Sequence, residues 1–77
     1  MKIWRIKKGH DSRIRSRHPW VFSNELLDSP KGIVAGTEIE LQNMEGHFIA
    51  RGYGNPNSLI SFRAMSFLQR EDFGMRP

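Results

Sequence analysis

Cysteine is absent from this 77-residue sequence, which excludes a disulfide and a thiolate metal site as supplements to a small core. The same absence fits a reducing compartment. No apolar run approaches the roughly 20 residues that a membrane-spanning helix needs. The opening Met1-Lys2-Ile3-Trp4-Arg5-Ile6 alternates polar with apolar and leads into no signal-peptide core, so a cytoplasmic protein without a membrane partner is expected. No internal repeat or low-complexity stretch is visible. A glycine-rich loop between strand and helix, of the kind that cradles a nucleotide, is missing too. Gly52-Tyr53-Gly54 ends a strand pattern with no helix behind it. His10, His18 and His47 fall on different elements with no carboxylate at ligand spacing, which argues against a metal. Ser12, Ser16 and Ser23 lie near histidines, but nothing pairs a nucleophile with its base. No catalytic site is expected in these residues, and no cofactor.

What is there begins with charge. Lysine and arginine number 12 against 8 acids, and they are segregated. Residues 1–20 carry Lys2, Arg5, Lys7, Lys8, Arg13, Arg15 and Arg17 against Asp11 alone. Residues 21–50 carry Glu25, Asp28, Glu38, Glu40 and Glu45 against Lys31. A segregated basic patch on a chain this short produces a local potential that draws polyanions. The length allows one domain, with a core worth about 3–5 kcal/mol at most.

Hydrophobic alternation is mostly of period two. Residues 3–8 read as a strand with Trp4 and Ile6 on one side, and Gly9 stops it. Asp11 or Ser12 is placed to cap a helical turn over Arg13-Ile14-Arg15-Ser16, which Pro19 ends. Trp20-Val21-Phe22 is a short apolar strand, with Trp20 and Phe22 sharing a parity that faces either the core, the favoured reading, or a stacked base. A brief helical turn follows from Asn24, broken at Pro30-Lys31-Gly32. Residues 38–42 and 47–53 form a hairpin about Asn43-Met44-Glu45-Gly46, the second strand placing Phe48 and Ala50 on one face. Residues 59–65 form the last strand, with Ile60, Phe62 and Ala64 inward. Five or six short strands and one helical insert predict a mainly β compact barrel.

The binding candidates cluster near the helical turn. Arg13, Arg15 and Arg17 surround it, and Lys7-Lys8-Gly9 precedes it at a strand end. Guanidinium forks suit phosphate, and four to six such contacts predict a log–log salt slope of about −3 to −4 on single-stranded RNA. The competing reading pairs Arg15 or Arg17 with Glu25 or Asp28. Tyr53, beside Arg51, is amphipathic and suits base stacking. Asn55 in Gly54-Asn55-Pro56 serves a turn more readily than a base edge.

Four segments then match one block in order and spacing. They are Lys7-Lys8-Gly9, residues 17–23 (RHPWVFS), residues 48–58 (FIARGYGNPNS) and Ile60-Ser61-Phe62-Arg63. Together they resemble the N-terminal PUA domain of bacterial SAM-dependent 23S rRNA 5-methylcytosine methyltransferases, over residues 2–68. The resemblance implies a PUA-like pseudo-barrel of about six strands with a short helix after the first. It implies an RNA-facing surface at Lys7, Lys8, Gly9, Arg13, Arg15, Arg17 and His18, with Arg51 and Asn55, while Gly9 and Gly52 also fit a purely structural role. It places the SAM site and catalytic cysteine in a methyltransferase domain downstream, with residues 69–77 as the linker toward it. It further implies ribosomal RNA as partner and a homodimer formed through the parent protein. A freestanding RNA-binding PUA protein and a structural domain packed on a catalytic partner stay open beside it.

Overall fold

The computed structural model describes residues 1–68. Alternation drives each strand as expected, and the strands assemble into one sheet. Strand β1 (Lys2–Arg5) buries Trp4, and β3 (Thr37–Gln42) buries Ile39 and Leu41. The two run parallel, with Trp4 opposite Leu41. Strand β4 (Phe48–Gly54) returns antiparallel to β3, and β5 (Ile60–Ser66) antiparallel to β4. Strand β2 (Trp20–Phe22) takes the far edge of β5, giving the order β1-β3-β4-β5-β2. The β3–β4 turn is held by Asn43, whose Oδ1 accepts the Glu45 and His47 N–H groups, each at 2.9 Å.

Among the described residues the sheet has five strands, and no ladder closes it into a barrel. Strand β2 is only three residues long because the chain turns at once into a single 3₁₀ turn, η1 (Ser23–Glu25). Glu25 fixes that turn by reaching back to accept the Phe22 N–H at 2.9 Å. Beyond η1 the chain meets the end of β1. Lys7 N–H donates to the Glu25 carbonyl and Leu27 N–H to the Arg5 carbonyl, each at 2.8 Å, about an isolated Ile6–Leu26 bridge. One bridge therefore stitches the two edges.

Helix α1 (Ser12–Arg15) lies over the inner face and buries Ile14. Ile14 joins Trp4, Ile6, Val21, Leu26, Ile39, Leu41, Ile49, Ala50, Phe62 and Ala64 in one apolar core. Two expectations about facing fail here. Val21, not Trp20, enters the core from β2, since Trp20 is 40% exposed while Val21 is buried. Phe22 is half-buried. In β4 both Ile49 and Ala50 are buried, breaking the alternation. The register passes from Leu41–Ala50 to Gln42–Phe48, so Ile49 is the extra residue of a β-bulge and turns inward.

Close approach explains Gly52. A Cβ there would lie 2.0 Å from the Arg63 carbonyl oxygen, far inside contact distance, so only glycine lets β5 seat against β4. Its partner in the motif, Gly54, faces Ile33 and the Trp4 ring, each 2.8 Å from a would-be Cβ.

Candidate nucleic-acid interface

Helix α1 is four residues long, and its C-terminus organises the basic segment. The Arg17 N–H bonds the Ile14 carbonyl and the His18 N–H bonds the Arg13 carbonyl, both at 3.1 Å. This is the Schellman pattern, in which the C′ residue takes a left-handed conformation that glycine usually supplies. Here that residue is Arg17, with φ at 71°, the one non-glycine residue at positive φ among the described residues. A side chain in that region costs about 1–2 kcal/mol. Its guanidinium lies over the Phe67 ring at 5.1 Å, and among the described residues no carboxylate pairs with it. Gly9, also at positive φ (84°), makes the earlier turn between β1 and the helix.

The other two helix arginines are engaged. Arg13 donates to Glu25 Oε1 at 2.8 Å and lies over the Phe22 ring at 5.4 Å. Arg15 Nε donates to Asp11 Oδ2 at 2.7 Å, so Asp11 precedes the helix without capping it by its side chain. The competing reading, in which Arg15 or Arg17 pairs with Glu25 or Asp28, is not what the structure shows. Glu25 takes Arg13, and Asp28 accepts the Arg5 backbone N–H at 2.7 Å. His10 Nδ1 approaches Glu25 at 3.6 Å. Burial alone would raise the Glu25 carboxyl, but the Phe22 N–H and the Arg13 guanidinium outweigh it and hold it below its ordinary value. The Arg15 hydrogen bond does the same for Asp11.

The expected site residues fall into three places. Lys7, Lys8 and Gly9 line a shallow groove with Asp11, Asn43, Met44 and Glu45. Arg13, Arg17 and His18 line a second with Ser12, Ser16 and Pro19. Tyr53 and Asn55 line a third, on the sheet side, with Ser58, Ile60 and Arg63. Arg15 lines none of them, and neither does Arg51. Arg51 sits opposite Glu40 across β3–β4 and pairs with it at 3.8 Å, its side chain only 15% exposed. Asn55 makes the turn, its Oδ1 accepting the Asn57 N–H at 2.9 Å.

Sequence reading named Glu25 but not its pairing with Arg13, which joins the helix to the sheet edge, and it missed Phe67, beneath Arg17. It also missed Arg63, which sits between Tyr53 and Trp20 in the sheet register. Among the described residues no cluster of His, Asp or Glu could hold a metal ion, and no helix is long and apolar enough to cross a membrane. The Gly52-Tyr53-Gly54 run does not fit a nucleotide cofactor such as SAM. The space its glycines leave is filled by the β5 backbone and the Trp4 ring.

A family model covers nearly all of this mostly β unit with one short helix. The PUA-like domain model matches residues 5–67. The chain belongs to the PUA-like domain family. It is 31% identical over 70 residues to the ribosomal RNA large subunit methyltransferase I of Serratia proteamaculans, and 34% identical over 68 residues to that of Shewanella frigidimarina. The matches cover 91% and 87% of this chain but only 18% and 17% of those proteins. This PUA-like domain therefore spans less than a fifth of the relatives it matches.

Proposed function

We propose that this PUA-like domain binds RNA through the basic surface around α1, and that it presents ribosomal RNA to a SAM-dependent cytosine-5 methyltransferase domain of the same protein. The carrying observation is Arg17. Its backbone is held in a costly conformation by the helix C-cap, and its charge meets no carboxylate among the described residues. Strained residues that persist tend to sit where a ligand is met. Lys7 and Lys8 likewise lack an ion-pair partner among the described residues, so three cations are available to phosphates. Arg13 and Arg15 serve to position α1. The names of the two relatives supply the substrate class, and the methyl transfer is assigned here to a domain outside the matched segment.

The test is Lys7→Gln, Lys8→Gln and Arg17→Gln together, leaving Arg13 and Arg15 in place because reversing Arg13 would unseat Glu25. Retention of a structured rRNA fragment should weaken, and the log–log salt slope should become shallower by about 2 to 3. The circular dichroism spectrum should be unchanged. Retention equal to that of the unaltered chain would overturn the reading.

A further inference from the structure

The outward face of the sheet carries a row that the helix surface does not account for. Register places Tyr53 of β4 opposite Arg63 of β5, and Arg63 opposite Trp20 of β2. Directly opposed residues of antiparallel strands project from the same face, so the three side chains stand in line. Their core-facing neighbours confirm the orientation, since Gly52, Ala64, Phe62 and Val21 are all buried. Tyr53 is 45% exposed and Trp20 is 40% exposed, and Arg63 is exposed and has no ion-pair partner among the described residues. His18 meets Trp20 edge-on, ring centroids 5.8 Å apart, and it lines the same groove as Arg17.

We infer that this row is a stacking platform for unpaired nucleotides of a single-stranded RNA segment, an inference that rests on the RNA reading above. Two amphipathic rings stand two strand spacings apart, about 10 Å, with a cation between them. Bases present π-faces to such rings whatever their sequence, while the intervening guanidinium meets the phosphate that joins them. A duplex keeps its bases stacked on one another and has no face to offer these rings. The charge along the row favours a polyanion from Arg63 toward His18 and Arg17. Glu38, opposite Tyr53 on β3, bounds the platform at the other end. The row thus continues the basic groove at α1 onto the sheet, and a strand leaving a helical stem would pass from one to the other.

The 77-residue chain can be tested with three probes: a 12-nucleotide oligouridylate, an abasic ribose-phosphate oligomer of the same length, and a fully paired 12-base-pair RNA. Oligouridylate should bind at least about tenfold more tightly than the abasic strand of equal charge, and it should quench tryptophan fluorescence. Trp4 is fully buried, so the quenching should vanish in Trp20→Leu. Trp20→Leu and Tyr53→Leu should each weaken oligouridylate binding about five- to hundredfold without altering the salt slope. Arg63→Gln should weaken it and lower the slope. All three are surface positions, and Trp4 emission reports that the fold persists.

Equal affinity for abasic strand and oligouridylate, or quenching that survives Trp20→Leu, would overturn the platform. If the duplex and the abasic strand bind as well as oligouridylate, the platform falls and the RNA reading stands. If no RNA binds, both fall. Self-association lost in Trp20→Leu, with no base-dependent binding, would overturn the platform in favour of a protein-docking face.

Discussion

Arg17 concentrates two demands that are usually met by different residues. The helix C-cap requires a left-handed residue, for which glycine is suited, and the surface requires a cation. A comparison of Arg17→Gly with Arg17→Ala separates them. Both remove the guanidinium and its contact with Phe67, so both should lose RNA affinity equally. They differ in the backbone, and the glycine variant should be about 1 kcal/mol more stable to urea than the alanine variant. An alanine variant as stable as the glycine one would show that the C-cap costs nothing. Glu25 is the second residue on which several interactions converge. Its side chain holds a backbone N–H of β2 and the Arg13 guanidinium, while its carbonyl accepts the Lys7 N–H at the sheet edge.

At the scale of elements, Glu25 makes the joint between α1, η1 and β2 sensitive to acid. A carboxyl held below its unfolded value stabilises the native state fully above that value and loses the contribution as pH falls through the lowered one. Asp11 beside Arg15 acts in the same direction. The thermal midpoint should therefore stay level above about pH 5 and decline below the ordinary glutamate value of 4.5. Glu25→Gln should melt lower at pH 7 and show a shallower acid decline, measured by circular dichroism from pH 3 to 7. An unchanged profile would show that the joint is held by packing alone.

The elements were largely legible in the sequence, because alternation at Ile39 and Leu41 or Phe62 and Ala64 follows from a sheet with one buried face. Three features were hidden. The Ile49 bulge depends on register between two strands, and a single strand does not encode it. The outward Trp20 followed from the inward Val21, but three consecutive apolar residues do not show which parity faces the core. The pairing of Arg13 with Glu25 spans twelve positions and needs the turn at η1 to exist first. The basic cluster itself was visible, while its division into engaged and available cations was not.

For the molecule as a whole, the Ile6–Leu26 bridge sets a direction of failure. The β3–β4 and β4–β5 ladders are long antiparallel pairings, each with one register shift, whereas the edges of the sheet meet through one bridge, its two flanking backbone hydrogen bonds and the Arg5 N–H on Asp28. Amide exchange should report this, with the Lys7 and Leu27 amides opening well below the free energy of the β3–β4 amides. Equal protection at both places would mean that the edges are as firmly joined as the ladders. Lys7 lies at the bridge itself, and Glu25, one residue before Leu26, also holds Arg13. Opening there separates the lysine groove from the arginine groove while the sheet behind them stays whole. RNA that spans both grooves would act as a clasp across the one weak edge, and its binding should slow exchange at Lys7 and Leu27 more than anywhere in the core.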